Sequence, residues 1–565
     1  MRWLVLGLIV GLFMGFVDSY GYAVSGFTIS EISIVFIPLI TLFLARCMGV
    51  TSLEEIIYAS SLAIGIDLTT TLTSGMYLTY GYLQYLSSKL RVFGFEIRVP
   101  QTLFSDPNPI DFEALPTYVS LSLASMGGAL LAYALRMHYL DKERLTYPLG
   151  LAASMVLKIV RTVPRSCWVG LGLGFALQLL VMYLGLDILD LTPLVGSYLP
   201  GAVFALALNP LVYAVAMLLP LGALRGLAMG SMMTYVAITT LSVALLGAYV
   251  PPLASYDDVL LAVSNIVASC MVGLVTVATV SYLTKYYRVF LHSAKLLAMA
   301  RYERFAATMG TLLVASMVLV ALSISRIPIP KLLSIAAIIV PIHLVLVLVN
   351  LRIVGEVGMG SQAVLPLATS ILVASRCSDV ATYAALDPFT GIPMPQVIGG
   401  TSMNLARLCR ACRASVSKAF ALLCLGIALG SIPTYIYGNL LVNLYGFDSP
   451  QMPMHRWIPT IVWMATIYSG RSEALYPQIV ALGFVLAILL LILSQRFGIP
   501  FLPLIVGTCI PPDVGIAALV AYVVKSIVLK LGVELHEKTI VFSTFVLLGC
   551  GLGVALNSIL VALLA

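Results

Sequence analysis

Of 565 residues, 61% are hydrophobic and only 10% are charged, whereas a soluble globular domain carries roughly 25% charged residues. Such a chain cannot cover its surface against water, which excludes a soluble architecture and makes the bilayer its solvent. The net charge of +7 is spread over short loops, a topology signal that does not form a nucleic-acid surface.

The first apolar run, residues 3–17 after Arg2, meets no small-residue cleavage site before Asp18, Ser19 and Tyr20, so it reads as a first span and not a signal peptide. Apolar stretches of about 20 residues then give about 16 candidate spans along the chain. After the first they are 33–47, 56–83, 118–136, 168–186, 199–219, 227–250 and 259–283. The second half continues with 307–325, 332–351, 362–375, 393–403, 419–444, 475–494, 514–531 and 540–565.

Lysine and arginine gather in 136–165, 285–304 and 407–418, with Arg46 and Arg225 at other turns. The positive-inside rule makes these loops cytoplasmic. Alternating spans keep them on one side if 458–469 and 499–511 dip in without crossing, and both termini then lie in the cytoplasm. The segment 87–116, with Asp106, Asp111 and Glu113 but also Lys89, Arg91 and Arg98, falls outside as an extracytoplasmic loop or cap. No soluble domain interrupts the pattern. The expected fold is an all-α polytopic protein of the cell membrane, a single transporter-like domain over 1–565, with some helices discontinuous or re-entrant.

Polar groups inside apolar runs are the functional candidates, because a charged side chain at the bilayer centre costs roughly 2.5–3.5 kcal/mol on insertion scales. Asp67 lies in Ile64-Gly65-Ile66-Asp67-Leu68-Thr69-Thr70-Thr71 and reads either as a proton or substrate group or as half of a structural ion pair. Breaks occur at Asn209-Pro210, at Gly355-Glu356-Val357-Gly358-Met359-Gly360, at Asp387-Pro388 through Gly391 and Pro395, and at Pro511-Pro512-Asp513. Irregular backbone at membrane depth survives only where protein or a wet cavity satisfies it, which is how transporters build sites, although a single proline kink can also merely shape packing.

Glu356 sits among glycines, either as a ligand contact or as a boundary residue beside Arg352. Asp513 and Lys525 either flank one cavity or pair with each other. His343, Asn350, Asn265 and Gln362 read as interhelical hydrogen bonders. Most of the 28 tyrosines are expected in interfacial belts.

Other patterns carry no chemistry. Gly170-Leu171-Gly172-Leu173-Gly174 opens a span and follows no strand, so close helix packing explains it better than a nucleotide site. Cys409-Arg410-Ala411-Cys412 lacks a second ligand pair for zinc, and His536-Glu537 lacks the second histidine of a metalloprotease. There is no P-loop, and nine scattered cysteines imply no disulfide framework. No cofactor is expected.

Four stretches resemble the oligopeptide transporter superfamily, the group of peptide carriers and yellow-stripe-like metal-chelate carriers. In residues 30–75, Leu-Ala-Arg-Cys-Met-Gly ends a span before Leu53-Glu54-Glu55-Ile56 and a threonine-rich helix. In 126–153, Glu143-Arg144-Leu145-Thr146-Tyr147-Pro148-Leu149-Gly150-Leu151-Ala152 is similar to the family's e-x-L-x-y-P-x-G-x-A turn. Residues 397–418 resemble the entry to its basic loop, with Asn404 and Arg407 where the family often shows an acidic residue and a lysine. Residues 496–525 add Phe501-Leu502-Pro503 and Pro511-Pro512-Asp513-Val514-Gly515. Leu211 follows Asn209-Pro210, so the asparagine-proline-glycine signature of eukaryotic peptide carriers is absent and the likeness is to prokaryotic and yellow-stripe-like members.

The resemblance implies proton-coupled uptake of a small peptide or peptide-like metal chelate. Substrate contacts are expected at Asp67, Asn209, Glu356, Gly358, Gly360 and Ser361, and proton coupling at Asp67, Glu356 and Asp513, with no resident metal. The expected partners are the lipid bilayer, the substrate and protons, with a homodimer left open and no nucleic acid. An intramembrane enzyme and a passive channel remain the rival classes.

Overall fold

A computed structural model describes residues 2–25, 33–90, 97–105, 110, 112–159, 165–246, 249–251, 253–299, 303–357, 366–468 and 476–564. Among these residues eleven helices are long and apolar enough to cross a membrane, or twelve if Tyr256–Val263 and Asn265–Ala278, which meet at 64°, count as one span. The chain is an all-α polytopic membrane protein. The other expected spans fall short of crossing length: Ser33–Cys47 is a helix with the expected bounds and 15 residues, Pro210–Leu218 and Pro366–Ala374 have 9 residues each, and Pro395–Ala411 has 17, more than the expected 393–403. The stretch read as one span over 199–219 instead holds the strand Ala205–Ala207, paired antiparallel with Ile188–Asp190, before the helix from Pro210.

The centre is the helix Leu53–Thr70, which runs through a π-helical turn, Thr71–Gly75, into Met76–Leu90. Every residue of its most apolar stretch is buried. It lies between the helices Arg2–Ser25 and Val416–Tyr445. Gly7, Gly11 and Gly15 of the first helix, spaced at four residues, face Ala59, Ala63 and Thr70, the small-residue spacing that lets membrane helices touch backbone to backbone. Opposite, a Cβ on Gly65 would stand 2.3 Å from the Leu423 carbonyl oxygen. Residue pairs rise in step along all three helices, so they run parallel from their basic ends near Arg2, Arg46 and Lys418.

Outer helices such as Pro477–Phe497 expose Leu482, Val485, Leu489 and Ile492, as lipid contact requires.

Fourteen of the 28 tyrosines are buried inside the protein. Tyr20, Tyr77, Tyr80, Tyr82, Tyr118, Tyr139, Tyr147, Tyr235, Tyr256 and Tyr383 are among the largest fully buried side chains. The hydroxyls of Tyr118, Tyr139, Tyr147, Tyr213 and Tyr383 donate to backbone carbonyls of Leu103, Leu348, Leu351, Ala207 and Cys377. Several of these carbonyls lie at helix ends or breaks, where no intrahelical partner exists and no lipid group can serve.

At the basic end, ion pairs join Arg136 to Glu303 at 2.7 Å, Arg352 to Glu143 at 2.8 Å, and Arg410 to Asp141. The turn after Glu143 has positive φ at Arg144 and Tyr147, and it presents the Thr146 hydroxyl and Tyr147 N–H to the Gly355 carbonyl, both at 3.0 Å. Residues 87–116 are described only in part: the Ser87 hydroxyl holds the Ile97 carbonyl at 3.2 Å, and Leu103 and Phe104 are buried.

Candidate functional site

Close packing of the first helix on Leu53–Thr70 brings two carboxyls together. Asp18 and Asp67 are both completely buried and act on one another electrostatically, with the Ser33 hydroxyl beside Asp67. Neither Asp67 oxygen makes a bond of full hydrogen-bond geometry. At a rise of about 1.5 Å per residue, Asp67 lies roughly 21 Å along its helix from Leu53, Asp18 roughly 24 Å from Arg2, and Ser33 roughly 20 Å from Arg46. All three therefore share one level, deep within a hydrocarbon core about 30 Å thick. Ser33 is the first described residue of the helix Ser33–Cys47, which reaches the level of the two carboxyls.

Further along the first helix, polar side chains continue. Tyr22 feels the Asp18 charge and shares a 3.0 Å hydrogen bond with Thr79, and Tyr20 feels Asp187 and Arg456. Arg456, fully buried, donates through Nε to Asp513 at 2.7 Å and through Nη1 to the Val24 carbonyl at 2.7 Å, and its Nη2 stands 3.1 Å from Asp187. The Trp457 indole N–H holds the neighbouring Ala23 carbonyl at 3.0 Å. From Asp18 to Val24 is roughly 9 Å along the helix. Two carboxylates thus face one guanidinium close to the carboxyl pair, leaving one excess negative charge in the cluster.

A second mid-chain break is built differently. Asp387 is buried, and its carboxylate accepts from the Thr369 hydroxyl at 2.9 and 2.8 Å, from the N–H groups of Phe389 and Thr390 at 3.2 Å, and from the Thr390 hydroxyl at 2.5 Å. That carboxylate replaces the helix partners the chain loses between Val380–Leu386 and Pro395–Ala411. The latter helix is buried along nearly its whole length although it carries Gln396, Thr401, Ser402 and Asn404, and both polar atoms of the Gln396 amide lack a partner.

The structure brings only some of the expected residues together. Asp67 sits at the carboxyl pair. Asn209 is buried elsewhere as an N-cap, its Oδ1 accepting from the Leu211 N–H at 3.0 Å, and it meets Tyr20 on the first helix. Asp513 pairs with Arg456, while Lys525, twelve residues later on the same helix, donates to the Leu219 carbonyl at 2.6 Å. Glu356 belongs to the last turn of Ile329–Val357, but its side chain and Gly358, Gly360, Ser361 and Gln362 lie outside the described residues. His343 and Asn350 hold the carbonyls of Leu386 and Gln396 at 2.9 and 2.7 Å, the interhelical role expected of them. Asp18, Asp187 and Arg456 were not anticipated. Asp18 closes an apolar run and resembles its boundary, yet the helix continues to Ser25. Arg456, between Pro453 and an apolar stretch, resembles a loop cation.

Set against known proteins, the chain matches no family model and no curated protein.

Proposed function

We propose that this protein is a secondary active transporter of the oligopeptide transporter superfamily, carrying small peptides or peptide-like metal chelates into the cell with protons. The observation that supports it most is the Asp18–Asp67 pair. Two buried carboxyls repel when both are ionised, and protonation of either one relieves that repulsion. Such a pair gains and loses a proton with little other rearrangement, which is what coupling to a proton gradient needs. The short helices from Pro210 and Pro395 resemble the discontinuous helices that present backbone groups to substrates at the midplane of carriers. Glu356 and the glycines after it, with Ser361, complete the substrate site in this reading. The protein resides in the cell membrane with its basic end and both termini in the cytoplasm.

A membrane potential of 100 mV gives about 2.3 kcal/mol per proton, or about 50-fold accumulation. The test is uptake into proteoliposomes of labelled di- to tetrapeptides against ferric and nickel chelates, with and without an imposed pH gradient. One of these classes accumulates when the gradient is applied. Asp18→Asn and Asp67→Asn abolish accumulation but retain exchange of labelled for unlabelled substrate. Flux indifferent to the gradient, or full accumulation by the double variant, refutes the reading.

A further inference from the structure

At the end of the bundle opposite the basic loops, the helix Met76–Leu90, the loop 97–105 and Phe447 line a half-open cavity of about 830 Å3, within the usual range of roughly 300–1,000 Å3 for small-molecule sites. Its floor is aromatic. The Tyr85 and Phe447 rings stack with centroids 5.3 Å apart, and Phe104 lies 6.0 Å from Phe447. Gly81 makes that floor possible, since a Cβ there would stand 2.6 Å from Phe447 and 2.7 Å from Phe104. The loop is pinned by the bonds from Ser87 to the Ile97 carbonyl and from Tyr118 to the Leu103 carbonyl, at 3.2 and 3.0 Å.

The wall is polar: Gln84, Ser88, Arg98 and Gln101. Among the described residues Arg98 has no carboxylate partner, unlike Arg136, Arg352, Arg410 and Arg456. A guanidinium on the same cavity lining as two amides and stacked aromatic rings is matched to a carboxylate attached to an apolar or aromatic body, through a forked hydrogen bond and ring contact.

We propose that this cavity is a recognition site, distinct from the carboxyl pair, for a small molecule with an aromatic body and a free carboxylate, such as a short peptide held by its C-terminus. The ligand chemistry follows from the cavity; that the bound molecule is then transported rests on the proposed function.

Binding to the full-length chain in detergent decides the matter, with alanyl-phenylalanyl-alanine as the free acid and as its C-terminal amide, followed by calorimetry. The acid binds at least ten times more tightly than the amide. Arg98→Gln removes that preference and Arg98→Lys keeps part of it, while Ser88→Trp, at the exposed rim, weakens both forms by filling the mouth. Binding is read in detergent with no gradient imposed, so loss of this site and failure of proton-driven transport are told apart. Equal binding of acid and amide, no binding of either at millimolar concentration, or an Arg98→Gln chain that still prefers the acid overturns the proposal.

Discussion

Tyr80 and Tyr468 donate their hydroxyls to the same backbone carbonyl, that of Thr390, at 3.0 and 2.9 Å. One comes from the long central helix and the other from the short helix Ile458–Tyr468, so the two fix the irregular turn after Asp387 from both sides. A carbonyl oxygen has two lone pairs, and the first bond lost leaves it with a partner. Either Tyr80→Phe or Tyr468→Phe should cost about 1 kcal/mol, and the double variant about 3 kcal/mol or more, because only then is a buried carbonyl orphaned. A double-mutant cycle on thermal unfolding in detergent measures the excess. Strict additivity would mean that water already serves this carbonyl.

The Arg456 cluster predicts an asymmetry between two variants that break the same bond. Arg456→Met leaves Asp187 and Asp513 as two buried carboxylates without their cation, and Asp513→Asn leaves one cation facing one carboxylate. Removing one partner of a buried pair costs about 3–5 kcal/mol when the remaining charge is uncompensated. Arg456→Met should therefore cause most of that loss and a sharp fall in folded yield, whereas Asp513→Asn should cost much less. Size-exclusion profiles and inactivation half-lives at fixed temperature report both. Equal damage from the two would show that geometry, and not charge balance, sets the stability of the cluster.

Hydropathy made the membrane class and most of the long helices legible, because burial in lipid demands unbroken apolar runs. Asp67 was legible for the same reason, as a lone charge well inside such a run. Asp18 was not, since a charge at the edge of a run looks like the end of the helix. Arg456 was hidden by its setting: only the folded chain brings it against Asp187 and Asp513, which are 269 and 57 positions away in sequence. The short helices from Pro210 and Pro395 were read with the wrong bounds because composition records how apolar a segment is and not where its neighbours stop it. The hydrogen bonds of the buried tyrosines were not legible because several of the carbonyls they satisfy are exposed only once the breaks have formed.

Backbone contact between helices gives a test with its own control. A methyl on Gly65 would meet the Leu423 carbonyl oxygen at 2.3 Å, while one on Gly172 would meet nothing within 4 Å. Both glycines are interior to helices, so alanine gains helix propensity of roughly 1 kcal/mol at each. At Gly65 that gain is outweighed by overpacking of about 1–3 kcal/mol, and the helix pair must separate. Gly172→Ala should therefore raise the melting temperature slightly and Gly65→Ala should lower it. A stabilised Gly65→Ala chain would contradict the packing of the central helix.

Asp67 and Asp387 are both buried aspartates far from either end of their bundle, and they predict opposite responses to one substitution. Asp387 accepts from the hydroxyls of Thr369 and Thr390 and from two backbone N–H groups, so Asp387→Asn replaces an acceptor with a donor facing donors. Hydrogen bonds to a charged group are worth about 1.5–3 kcal/mol, and destabilisation of that order is expected. The Asp67 oxygens have no such bonds, so Asp67→Asn removes a costly buried carboxyl and loses little. Its melting temperature should stay the same or rise, even as proton-driven accumulation disappears, the trade expected of a residue kept for function against stability. Thermal unfolding of the two variants beside the parent chain measures the contrast. If Asp67→Asn unfolds as readily as Asp387→Asn, Asp67 is holding the helices together and its place in coupling must be given to another group.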